Sequence, residues 1–187
     1  MADKDFVNSY LNDFSSLLKP NDELTAMLVE VKKILLNIKK NNSKVMIFGN
    51  GGSAAIASHV SVDITKNAGI RCLNYNEADL ITCFANDYGY EKWLSKCIEF
   101  YADEKDHLIL ISSSGKSPNI INAAIEAKKK NILITSFTGF AKNNELSQHS
   151  DISFWVDSKA YNIIENTHQI WLLILCDLLK GALEYKA

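Results

Sequence analysis

The sequence predicts an α/β fold: a three-layer αβα sandwich around a five-stranded, mostly parallel sheet. Three observations predict it. Five short apolar runs recur between longer stretches of helical periodicity, and strands alternating with helices build parallel sheets covered on both faces. Two of the runs end in loops rich in glycine or serine that lead straight into a helix. The 187 residues are 47% hydrophobic, which suits one ordinary domain with a sizeable core.

The elements follow in order. Phe6, Tyr10, Leu11, Phe14 and Leu18 repeat at helical spacing, and Lys19-Pro20-Asn21-Asp22 breaks the pattern with capping residues. A second stripe, Leu24, Met27, Leu28, Val31, Ile34, Leu35 and Ile38, closes at Lys39 and Lys40. Lys44–Phe48 is a short apolar run ending in Gly49, the pattern of a buried strand. Helix is expected over Ser53–Lys66, strand over Ile70–Leu73, and helix over Asp79–Phe84 and Glu91–Tyr101. Leu108–Ile111 is the third strand. Ser117 as cap and Pro118 at the first helical position open a helix running to about Lys130. Ile132–Phe137 and Ile152–Val156 are the last strands, and Asn162–Tyr185 is a long, mostly apolar helix. The chain therefore reads as one domain over 1–187, with a helical extension at 1–42 and the α/β core and last helix at 43–187. The first two helices and the last exceed what one small sheet must cover, and packing against another subunit is a natural use for them.

Composition excludes several classes. A net charge of −2 gives no general attraction to nucleic acid. Lys39-Lys40 and Lys128-Lys129-Lys130 fall at helix ends, where cations offset the dipole. The apolar run Ile170–Cys176 is far short of the roughly 20 residues of a membrane span, and Met1–Phe6 is charged rather than signal-like. A cytoplasmic protein is expected. Its cysteines, Cys72, Cys83, Cys97 and Cys176, form no Cys-x-x-Cys pair and read as buried free thiols.

Ligands of open parallel sheets bind beyond the carboxyl ends of the strands. Gly49-Asn50-Gly51-Gly52-Ser53 lies there after the first strand. Glycines let backbone N–H groups approach an anion, and a helix N-terminus favours negative charge. The spacing is neither Gly-x-Gly-x-x-Gly nor a Walker A loop, so a nucleotide is not indicated. Ser112-Ser113-Ser114-Gly115-Lys116-Ser117 follows the third strand, and hydroxyls gathered at a helix start make a phosphate nest without a fixed cation. The pair of loops indicates a phosphorylated sugar.

At these residues the chain resembles the sugar isomerase (SIS) domain family, and within it the phosphoheptose isomerases. The matching stretches are Gly49–Ala55 followed by His59, then Ala85-Asn86-Asp87, Ser112–Asn119 and Glu165–His168. The resemblance implies aldose–ketose interconversion of sedoheptulose 7-phosphate and D-glycero-D-manno-heptose 7-phosphate, in a homotetramer with active sites between subunits. It implies that Asn50, Gly51, Gly52, Ser53, Asn86, Asp87 and Glu165 contact the sugar. Ser112, Ser113, Ser114 and Ser117 would hold the phosphate. His59, Asp63 and Glu165 would take a metal, zinc in many of these enzymes, and Asp63, Glu165 and His168 would be catalytic.

The chain departs from the family's pattern at three of these positions. Asp63 replaces a Glu, Glu165 stands where a Gln is usual, and Leu173 stands where the family has a second metal-binding His. A leucine can neither bind metal nor carry a proton. The family also has a non-catalytic member, which associates with the bacterial replication initiator and likewise lacks that second His. It also lacks the carboxylate kept here at Asp63. The expectation is therefore an isomerase, with a non-catalytic phosphosugar-binding tetramer as the alternative.

Overall fold

A computed structural model describes residues 2–184. The helical start resolves into α1 (Asp3–Leu17) and α2 (Asp22–Lys40), with Asn21 capping α2 by accepting from the Leu24 N–H at 2.8 Å. The α/β part follows as β1 (Val45–Gly49), α3 (Gly52–Ala68), β2 (Cys72–Leu73), α4 (Ala78–Tyr88), α5 (Trp93–Tyr101), β3 (His107–Ser112), α6 (Pro118–Lys129), β4 (Leu133–Thr138), α7 (Glu145–Gln148), β5 (Ile152–Trp155) and α8 (Tyr161–Lys180). The sheet is parallel throughout, in the order β2-β1-β3-β4-β5.

Alternation along each strand divides the core in two. Val45 and Ile47 of β1, Ile109 and Ile111 of β3, and Phe137 of β4 pack toward α2, α3 and α8. Met46, Phe48, Leu108, Leu110 and Ile134, the intervening residues, pack toward α5 and α6. The three layers are those expected.

Several boundaries differ from expectation. The second strand shrinks to Cys72–Leu73 at the sheet edge, and α4 continues past Phe84 to Tyr88. The last helix stops at Lys180, with Gly181 as a left-handed cap; its expected end, Tyr185, lies outside the described residues. The second helix is not surplus. Leu24, Leu28, Val31, Leu35 and Ile38 of α2 are buried in the core, because α2 and α8 together cover one face of the sheet. Of the first two helices and the last, α1 alone has no buried residue, and it leaves Phe6, Val7 and Leu11 exposed. Cys72, Cys97 and Cys176 are buried free thiols, but Cys83 is exposed on α4, its thiol 3.8 Å from the Asp87 carboxylate. The basic groups do sit in the last turns of α2 and α6, with Lys130 as the cap of α6.

Candidate functional site

Adjacent strands β1 and β3 send their chains to opposite faces, β1 into α3 and β3 into α6. Their carboxyl ends therefore open a cleft at the switch point of the sheet, where ligands bind in open α/β folds. Gly51 caps α3 at φ 54° and ψ −121°, a conformation that side chains oppose. No side chain caps this helix, so the N–H groups of its first turn that Gly51 does not take up are left for a ligand.

The serine loop forms the opposite wall. The Gly115 N–H closes a turn on the Ser112 carbonyl at 2.9 Å. Ser117 stands at the N-cap of α6, but its side chain does not cap the helix as expected. Its oxygen instead accepts from the Ser112 hydroxyl at 3.2 Å, which keeps both hydroxyls at the cleft. The Ser113 hydroxyl is buried and has no partner among the described residues. A cavity of about 130 Å³ is lined by Asn50, Ser53, Ser112, Ser113, Ser114, Ser117, Ile111, Tyr161 and Glu165. It is too small for a whole sugar phosphate, but suits a phosphate group. Lys116 is exposed and outside this lining, so hydroxyls and N–H groups supply the anion-binding character.

A second cavity, about 390 Å³, adjoins it and is lined by Gly52, Ala55, Ile56, His59, Glu165, Asn166 and Gln169. Glu165 belongs to both. Its carboxylate lies against Gly52, where any side chain would collide with it. Burial raises the pKa of Glu165, and it makes no hydrogen bond or ion pair to a described residue. His59 Nε2 lies 3.4 Å from Asp63 Oδ2, one helical turn along α3, and His59 Nδ1 lies 3.3 Å from Gln169 Nε2.

The chain thus brings Asn50, Gly52, Ser53, the four serines, His59 and Glu165 to two connected cavities. Gly51 shapes the turn, and Asp63 stands behind His59. Other expected site residues lie elsewhere. His168 is fully buried in the core-facing stripe of α8, next to the edge that carries Glu165, donating from Nε2 to the Thr138 carbonyl at 3.0 Å and packing against the Phe137 and Trp171 rings. Burial pushes its pKa down to about 4, and it borders neither cavity. Asn86 and Asp87 are exposed at the end of α4 and bond to each other at 2.9 Å, outside both linings. Of the residues expected to take a metal, His59 and Glu165 line one cavity and Asp63 stands behind His59; among the described residues no group of three His, Cys, Asp or Glu side chains is already gathered around one point.

Two residues not singled out from sequence join the site. Asn119, buried at the start of α6, exchanges two amide hydrogen bonds with Asn50, at 2.8 and 2.9 Å, tying the two loops together. The Tyr90 hydroxyl donates to Asn50 Oδ1 at 3.2 Å. Asn119 falls just inside the serine-loop helix, and that position was its available signal. Tyr90 had none.

Residues 9–139 match the family model of the SIS domain. A phosphoheptose isomerase of Fusobacterium nucleatum is 32% identical over 178 residues, covering 91% of each chain. One from Sulfurimonas denitrificans is 31% identical over 166 residues, covering 86% of this chain and 85% of its own. The solved phosphoheptose isomerase of Francisella tularensis superposes with a TM-score of 0.87 at 25% identity, over 97% of this chain and all of the other. No helix among the described residues is long and apolar enough to cross a membrane. With a parallel sheet in this order, a hydroxyl-lined cavity at its switch point and these relatives, the chain belongs to the SIS domain family, and within it to the phosphoheptose isomerases.

Proposed function

We propose that this protein is a cytoplasmic phosphosugar isomerase that interconverts sedoheptulose 7-phosphate and D-glycero-D-manno-heptose 7-phosphate. The observation that carries this reading is Glu165, a carboxylate shared by a phosphate-sized cavity and an adjoining polar one. The phosphate sits among Ser112, Ser113, Ser114, Ser117 and the N-termini of α3 and α6. The sugar's carbonyl end extends past Glu165 toward His59. Glu165 takes a proton from the carbon beside the carbonyl, giving an enediol, and returns it to the neighbouring carbon. One oxygen gains a proton as the other loses one. Burial brings the proton affinity of Glu165 toward the working pH, which favours a general base. Asp63 holds His59 at the far end of the sugar cavity.

Homotetramer assembly with sites between subunits belongs to the same proposal. Its support is the exposed apolar face of α1 and an apolar groove lined by Leu18, Pro20, Val29, Ile170 and Ile174. Asn86 and Asp87, remote from the site in one chain, would then serve a neighbouring one. Incubation with sedoheptulose 7-phosphate, followed by NMR detection of the aldose, tests the reading. Conversion supports it. Binding without turnover at high protein concentration would favour the non-catalytic alternative.

A further inference from the structure

Helices α3 and α8 meet in successive rungs. Gly52 opposes Glu165, and His59 opposes Gln169. Asp63 comes next on α3, and its charge reaches Cys176 of α8. Leu173, one helical turn beyond Gln169, packs against the apolar core. A divalent ion such as zinc needs the lone pair of a neutral imidazole together with further N, O or S donors. The Gln169 amide lies 3.3 Å from His59 Nδ1 and the Asp63 carboxylate 3.4 Å from His59 Nε2, so each ring nitrogen faces a protein partner. Both ring nitrogens are therefore engaged. The neighbouring donor is an amide, and the next side chain on α8 carries none.

We infer that Gln169 closes the His59 site to divalent cations, so that the reaction there is carried by side chains alone. The second clause rests on the isomerase reading, and the first does not. The substrate oxygens are then polarised by hydrogen-bond donors lining the same cavity, the Asn166 and Gln169 amides.

Calorimetric titration of the full-length protein with zinc chloride tests the closure directly, beside a Gln169→Glu variant. That change sets a carboxylate beside His59 and one turn from Glu165, so it supplies the missing donor. The wild type is expected to show no saturable zinc binding and the variant a saturable site. Turnover of sedoheptulose 7-phosphate by the wild type is expected to be unchanged in EDTA. Stoichiometric zinc in the wild type, or turnover lost in EDTA and restored by zinc, overturns the inference. A Gln169→Glu chain that is folded by circular dichroism yet binds no zinc overturns the role given to Gln169. A wild type that excludes zinc but converts no sugar sinks the isomerase reading and leaves the closure standing.

Discussion

Replacing His168 by glutamine distinguishes a core histidine from a catalytic one. Glutamine keeps an N–H for the Thr138 carbonyl but cannot titrate. In the folded chain burial holds the imidazole neutral, with its pKa pushed down from 6.5 to about 4. In the unfolded chain it returns to about 6.5. Between those values the unfolded chain binds more protons, so the stability is present above pH 6.5 and is lost as the pH falls toward 4. The gap is worth about 3 kcal/mol in full, of which about 2 kcal/mol is gone by pH 5. His107, buried with Nε2 2.9 Å from the Thr135 hydroxyl, has the same depressed pKa of about 4 and adds a similar slope. Urea unfolding followed by circular dichroism, at fixed protein concentration between pH 7.5 and 5, reads the effect. The His168→Gln chain should lose about 2 kcal/mol less than the wild type over that range, with turnover at pH 7.5 largely kept. Equal losses would refute the burial argument. A fall in kcat of about 10²-fold or more in a folded variant would restore His168 to the chemistry.

Three further outcomes are expected. Glu165→Gln should lower kcat by about 10²- to 10⁴-fold while calorimetric affinity for sedoheptulose 7-phosphate persists, and unchanged turnover would remove Glu165 as the base. Ser113→Ala should leave the Tm unchanged, because the hydroxyl has no partner among the described residues, yet weaken sugar-phosphate binding by about 0.5–1.5 kcal/mol; a lower Tm with intact binding would make the hydroxyl structural. Asp63→Asn should lower turnover less than Glu165→Gln does, because it loosens His59 without removing the base, and an unaffected variant would take Asp63 out of the mechanism.

The sheet was legible because β1 and β3, buried on both faces, read as unbroken apolar runs between glycine and serine punctuation. Both loops were legible for the same reason. The four-residue α7 was not, since one turn carries no periodicity. Orientation on α8 was the harder problem, because a helix apolar on most sides has no polar face to fix its rotation. A clue was nevertheless present. Ile164, His168, Leu172 and Cys176 are spaced by four and all buried, which assigns His168 to the core stripe. Glu165, Gln169 and Leu173 run along its edge. Bonds between distant segments, such as Asn50 with Asn119 or His59 with Gln169, depend on how α3, α6 and α8 dock, and no spacing within one segment encodes that.

The contact between α3 and α8 has an evolutionary side. Strand register is locked by backbone hydrogen bonds, whereas α8 meets α3 only through side chains. Positions 169 and 173 stand clear of the loops that grip the phosphate, while position 165 varies within its contact with Gly52. A lineage could keep its anchor for sugar phosphates and rewrite the chemistry above it one helical turn at a time. The carboxylate, amide and leucine found here form one such spelling.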